Sequence, residues 1–238
     1  MVSCATPGAK TGATTGVMAE PLIVTLDGPA GVGKSTLAAR LAGRLGIAFM
    51  DTGAMFRAAA YTLGEGAWDW QQGLLQQKLG EFEFSLSGSG ENTELLLNGK
   101  PLPAAIRSEE AGRWASQLAV VPSVRAYMKM AQIFLGQTTP LVAEGRDMGT
   151  VVFPGARSKF FLDADPDERA RRRCHQLEAQ GKPADFTAIA ASIRQRDEQD
   201  RNRTIAPLKP APDAIVVDTT SLTEDEVLEK VLALVRAA

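Results

Sequence analysis

The sequence predicts an α/β fold, a parallel sheet of about five strands flanked by helices, with a small antiparallel sheet inserted into it. Three observations carry the prediction. Short, nearly continuous apolar runs recur along the chain. Stretches with helical spacing separate them. One region, near 80–104, switches to strict alternation. Uniformly apolar short runs are typical of strands buried on both faces of a parallel sheet, and alternation marks strands with one wet face.

The first run, PLIVTLD over 21–27, ends in a glycine-rich turn. Leu37, Ala38, Leu41, Ala42 and Leu45 then recur at helical spacing until Gly46 stops the helix. Ile47 to Met50 reads as the second strand, and Leu141–Ala143, Lys159–Leu162 and Ala214–Val217 as the next three. Strands alternating with helices define β-α-β units and hence a parallel sheet. Phe82–Leu86 and Thr93–Leu97 alternate, and Gly88-Ser-Gly90 and Asn98-Gly99 supply turn chemistry for an antiparallel insertion. Helical material from about Ser108 to Leu135 leads back to the core.

The chain has 238 residues and is 45% hydrophobic, enough for one α/β domain with an insertion or for two small domains. A net charge of −2 gives no global attraction to nucleic acid or to an acidic membrane. Locally the balance differs: between Arg146 and Arg203 there are ten Arg against only Lys159 and Lys182. The planar guanidinium fork matches phosphate or carboxylate in a way that lysine does not, so the clustering points to a small polyanionic ligand. Cys4 and Cys174 are too few for a disulfide framework and read as reduced thiols of a cytoplasmic protein. No run approaches transmembrane length. Residues 1–20 are rich in Gly, Ala and Thr and are expected to be a disordered leader, with Met18 as a possible native start.

Gly28, Pro29, Ala30, Gly31, Val32, Gly33, Lys34 and Ser35 match G-x-x-x-x-G-K-[ST], followed by Thr36, with a strand before and a helix after. The glycines let backbone N–H groups curl around an anion, and the helix N-terminus adds its dipole. Lys34 can reach the β- and γ-phosphates of ATP, and the Ser35 hydroxyl can ligate Mg²⁺ carried with it. A chance glycine-rich turn is the alternative, disfavoured by the match in its strand–loop–helix setting. The Asn-Lys-x-Asp motif of guanine-specific switches is absent. Leu86-Ser-Gly-Ser-Gly90 falls in the expected hairpin and reads as a turn. A small-molecule kinase is what remains.

Three further stretches stand out: Asp51-Thr-Gly-Ala-Met-Phe-Arg57 and Glu144-Gly-Arg-Asp-Met-Gly-Thr-Val-Val-Phe-Pro154, which follow strands on the same sheet edge as the phosphate loop, and Arg194 to Arg203, late in the chain. Ligands of doubly wound sheets bind at the carboxyl ends of the strands, so Arg57 is positioned to meet an acceptor phosphate. On the late helix Arg194 can pair with Glu198 and Asp197 with Arg201 at i,i+4, while Arg196, Asp200 and Arg203 share a separate face. Taken alone, that face reads more readily as a solvated salt-bridged surface. A loop or helix cap is the alternative reading of Asp147. His175 reads as a surface residue, and Trp68, Trp70 and Trp114 as packing.

Together with the phosphate loop, these stretches resemble the signature set of bacterial cytidylate kinases, from about residue 21 to the C-terminus. The Gly-Arg-Asp-Met-Gly-Thr stretch is the specific part. The resemblance implies a P-loop nucleoside monophosphate kinase fold over 21–238, with core 21–75 and 136–238, a monophosphate-binding insert at about 76–135 and a short helical lid at about 165–190. It implies Mg²⁺-dependent transfer from ATP to CMP or dCMP by a monomer. It puts Arg146 and Asp147 at the cytosine and phosphate, with Asp147 accepting from the exocyclic amine. Arg196 and Arg203 would bind phosphate and sugar, Asp200 the sugar hydroxyls, and Thr52, Ser116 and Arg125 further parts of the acceptor. Arg169 and Arg173 would close over the transferring phosphate, joining Lys34, Arg146 and Arg203 as catalytic groups. Thr52 stands where the family often has Ser, and Phe56 where Tyr is common. A related kinase acting on UMP or shikimate, or a non-catalytic ATP-binding regulator, are the alternatives.

Overall fold

The computed structural model describes residues 21–237; the expected leader and Cys4 lie outside the described residues. In chain order the main elements are β1 (Ile23–Asp27), α1 (Lys34–Leu45), β2 (Ala48–Asp51), α2 (Thr52–Leu63), α3 (Gln72–Leu79), β3 (Phe84–Ser87), β4 (Glu94–Leu97) and β5 (Lys100–Pro101). There follow α4 (Glu109–Leu118), α5 (Pro122–Thr138), β6 (Leu141–Gly145), β7 (Ser158–Asp163), α6 (Pro166–Ala179), α7 (Phe186–Asn202), β8 (Ile215–Asp218) and α8 (Glu224–Ala237).

Five of the strands form a parallel sheet in the order β2-β6-β1-β7-β8. The phosphate-loop strand is therefore central, and its neighbours β6 and β7 come from far along the chain. Register aligns the functional ends: Asp27 lies opposite Gly145 and Phe161, and Asp51 opposite Glu144. Both faces are covered. On one, Val24, Leu26, Val142, Phe160 and Leu162 pack against Leu37 and Leu41 of α1 and Val231 and Leu232 of α8. On the other, Met50, Leu141 and Ala143 meet Met55 and Ala59 of α2, Leu118 of α4 and Met128 of α5. Fully burying a side chain such as Leu41 or Met128 stabilises by about 1.5–3 kcal/mol, so the sheet is held from both sides.

The insertion is a three-stranded antiparallel sheet, β3-β4-β5. Asn98 and Gly99, with φ of 52° and 71°, turn β4 into β5 as their residue types demand. Phe84 and Leu75 carry the core of the insert into that of the main sheet. The helical material expected over about 108–135 forms two helices. Ser108 caps α4 by accepting from Ala111 N, the chain breaks at Ala119–Val121, and Pro122 opens α5 at a position where its missing N–H costs nothing. Trp68, Trp70 and Trp114 pack against the core as expected. Among the described residues no helix is long and apolar enough to cross a membrane.

Candidate active site

The phosphate-loop half of the site begins where β1 ends. Gly28 has φ of 150°, and a Cβ there would lie 2.2 Å from the Leu162 carbonyl oxygen, so only glycine lets the loop leave β1 this close to β7. Lys34 is buried and its Nζ donates to the Pro29 carbonyl at 2.7 Å, inside the curl of the loop. Ser35 Oγ donates to Glu144 Oε1 at 2.7 Å, while Glu144 Oε2 is buried without a partner among the described residues. Burial, then the Arg146 charge, pushes the Lys34 ammonium below its ordinary range, and burial, then Asp51, pushes the Glu144 carboxyl up.

The arginine-rich half of the site is assembled from side chains. Asp51 caps α2 by accepting from Ala54 N at 2.7 Å, and its other oxygen lies 3.3 Å from Arg57. Thr52 is buried and donates its hydroxyl to the Glu144 carbonyl at 2.7 Å, a bond that the β2–β6 register makes possible. From α5, Arg125 pairs with Asp147 and lies 5.9 Å from the Phe56 ring centroid. Arg146 Nε donates to Asp200 at 2.8 Å. Arg203, the residue that ends α7, donates to the Ala206 carbonyl and places Nη2 3.7 Å from Asp147. Asp147 stands at the N-cap position of a π-helical turn, Met148–Val152, yet its side chain makes no capping bond and faces Arg125 and Arg203 instead. The cap reading of Asp147 therefore fails on geometry.

Positive charge outweighs negative here. Burial raises the Asp200 carboxyl, but Arg146, Arg196 and Arg203 more than reverse that and hold it below its usual range. Burial, then Arg125, lowers the Arg203 guanidinium. Arg57 Nε and Arg203 Nη2 are buried without a hydrogen-bond partner among the described residues.

Several residues sit differently from expectation. Arg169 does not project over the site as an open lid arginine. It is 1% exposed, bonds both oxygens of Asp197, and donates to the carbonyls of Ala164 and Ala30, tying α6 and α7 to the phosphate loop. Asp197 accordingly does not pair with Arg201, and Arg194 reaches Asp167 across to α6 rather than Glu198 along its own helix. Those i,i+4 pairs lose to tertiary partners because α6 and α7 pack together. Arg173 bonds Gln176 and approaches Glu109 of α4 at 3.8 Å. Ser116 is exposed and donates back to the Gly112 carbonyl. Arg196 is solvent-exposed, beside Arg146, Asp200 and Arg57. His175 is a surface residue. Sequence reasoning missed Glu144, Asp51 and Asp27; the signal was available as carboxylates at the ends of strands otherwise too apolar to tolerate them.

A phosphate loop on the central strand of a parallel sheet, facing converging arginines across the same edge, defines a small P-loop kinase. The cytidylate kinase family model matches residues 24–237. The chain is 60% identical over 215 residues to the cytidylate kinase of Maridesulfovibrio salexigens, covering 90% of this chain and 96% of that protein. It is 54% identical to that of Oleidesulfovibrio alaskensis, covering 91% and 99%, and 43% identical to that of Vibrio cholerae serotype O1, covering 88% and 94%. The chain belongs to the cytidylate kinase family and is a phosphotransferase.

Proposed function

We propose that the protein transfers the γ-phosphate of ATP to CMP or dCMP, giving CDP or dCDP. The observation that carries this reading is the convergence of Arg57, Arg125, Arg146, Arg196 and Arg203 on the acceptor half, where Arg57 Nε and Arg203 Nη2 are buried without a hydrogen-bond partner among the described residues. Buried donors without partners stabilise an anion that completes them, and a nucleotide phosphate does so with several oxygens. ATP lies along Gly28–Thr36. The acceptor lies among Thr52, Arg57, Arg125, Arg146, Asp147, Arg196, Asp200 and Arg203, with Ser116 at its margin.

An oxygen of the acceptor phosphate attacks the γ-phosphorus while the bond to the β–γ bridging oxygen breaks, and ADP leaves with that oxygen. Lys34, Arg146 and Arg203 stabilise the charge spread over the transferring group, and Arg173 approaches it from the lid. Arg169 holds the loop and α7 in place. Asp147 accepts from the cytosine exocyclic amine, and Thr52, whose hydroxyl proton is engaged by Glu144, offers that amine a second acceptor. Uracil, which presents a carbonyl there, meets acceptors only.

The oxygen donors fit a Mg²⁺ ion accompanying ATP: the Ser35 hydroxyl keeps its lone pairs, and Glu144 Oε2 is a buried oxygen without a partner. When bound, such an ion neutralises the β- and γ-oxygens. The insert at about 76–135 and the lid at about 165–190 close the site, and the enzyme works as a cytoplasmic monomer. The reading is tested by ADP release with Mg·ATP alone and with CMP, dCMP, UMP, AMP or shikimate added. Strong stimulation by CMP and dCMP is expected; stimulation by another acceptor instead refutes the specificity, and none at all refutes the kinase reading.

A further inference from the structure

The π-helical turn Met148–Val152 begins one residue after Asp147 and has free N–H groups at its start, as every helical turn does. The residue placed to cap it, Asp147, turns its carboxylate to Arg125 and Arg203. The capping oxygens come instead from the end of β1. Asp27 Oδ1 accepts from Met148 N and Oδ2 from Gly149 N, each at 2.8 Å. Asp27 is 4% exposed. The fit is close: a Cβ on Gly149 would lie 3.1 Å from Thr25 Oγ1 and 3.4 Å from Asp27 Oδ2.

We propose that Asp27 is a positioning residue for acceptor recognition, its two carboxylate oxygens fixing the two amides after Asp147 so that the Asp147 side chain stays aimed at the acceptor base. The inference rests on the reading of Asp147 as the cytosine-recognising carboxylate. Because Asp27 immediately precedes Gly28, one buried carboxylate joins the first residue of the phosphate loop to the loop that reads the acceptor. Such a part is a carboxylate rather than an amide for a plain reason. Two adjacent N–H groups need two acceptors, and Asn offers one acceptor and an NH₂ that would face an N–H. The groups around Asp27 are Lys34 of the phosphate loop, Asp147 of the capped turn, Lys159 of β7, whose stem lies against Gly149, and Glu144 of β6 beyond Lys34. Burial first, and Asp147 in addition, raise the Asp27 carboxyl to about 6, against the pull of the two amides and Lys34. A protonated Asp27 becomes a donor at one oxygen and releases one amide.

The experiment measures kcat/KM for CMP and for UMP, and the dissociation constant of ATP, in wild type and Asp27→Asn. The wild-type preference for CMP comes first; without one, the reading of Asp147 fails and this inference falls with it. Given that preference, Asp27→Asn should cut the CMP/UMP ratio about tenfold or more and raise KM for CMP, with ATP affinity within about twofold. An unchanged ratio in a folded variant overturns the proposal. So does a loss confined to ATP affinity, which would make Asp27 a part of the donor half only. Should the variant not fold, the same ratio is read in wild type from pH 5 to pH 8, where the phosphates of the two acceptors titrate alike and cancel. The ratio should fall as pH drops through about 6; a flat ratio overturns the proposal.

Discussion

The two halves of the proposed active site, donor and acceptor, are made of different materials. The donor half is backbone: a loop between β1 and α1 whose N–H groups and helix dipole are fixed by glycine geometry, with Lys34 and Ser35 as its side chains. The acceptor half is side chain, contributed by α2, α5, the loop after β6 and α7. A contiguous loop needs one local segment to fold, whereas four distant segments need the whole sheet and insert to be in register before the arginines meet. Donor binding should therefore survive damage that abolishes acceptor binding, and the reverse should be rare.

The largest effect is expected where the donor half meets the chemistry. Lys34→Ala should lower kcat by about 10²–10³, because one charge aimed at the transferring group is removed from a buried site. Steady-state rates with CMP and dCMP should fall by the same factor. A loss confined to one acceptor would mean that Lys34 reads the acceptor and that the division between halves is drawn wrongly. A comparable cost, in stability rather than rate, should follow Asp197→Ala. Arg169 would keep its buried charge without its bidentate partner, a change of about 3–5 kcal/mol readable in denaturant unfolding. Asp197→Ala also severs the strut from the Ala30 carbonyl to α7, so it should weaken both substrates, which no change within either half should do.

Arg203→Ala tests the acceptor half alone. It should lower kcat/KM for CMP by about 10²-fold, as loss of one buried charge-assisted contact does, with ATP affinity within about twofold by direct titration. Parallel loss of ATP binding would put Arg203 on the donor side.

The same contrast explains what the sequence disclosed. The five parallel strands, the inserted hairpin and the phosphate loop were legible because each is a local pattern: an apolar run, an alternation, an eight-residue motif. The i,i+4 pairs on α7 were misread because helical spacing lists the partners a residue can have, and packing against α6 supplied better ones. Arg169 and Arg173 share a helix and a residue type, yet one is buried in a strut and the other lies open near α4; nothing local separates them. Asp27 stands out as a carboxylate ending an apolar strand, but what it holds is hidden for a related reason. Its partners are backbone amides 121 and 122 residues away, and backbone amides carry no signature in a sequence.

The smallest effect sits on the seam between the halves. The Asp27 carboxyl stands at about 6 in the folded protein, raised chiefly by burial, against 3.8 for the unperturbed group. Between those values the folded chain binds a proton that the unfolded chain has released, so the stability this group contributes is present at low pH and is lost as pH rises through about 6. Other carboxylates titrate over the same range, and their effect is removed by difference. In Asp27→Asn the position cannot ionise, so the wild type should lose about 1–2 kcal/mol relative to the variant between pH 5 and pH 7.5. Thermal unfolding of both proteins at several pH values in that interval reads it directly. A difference independent of pH over that interval would mean that folded Asp27 is already ionised at pH 5, the two amides and Lys34 offsetting burial, and that the seam does not draw on the stability of the fold at neutral pH to hold Asp147 in place.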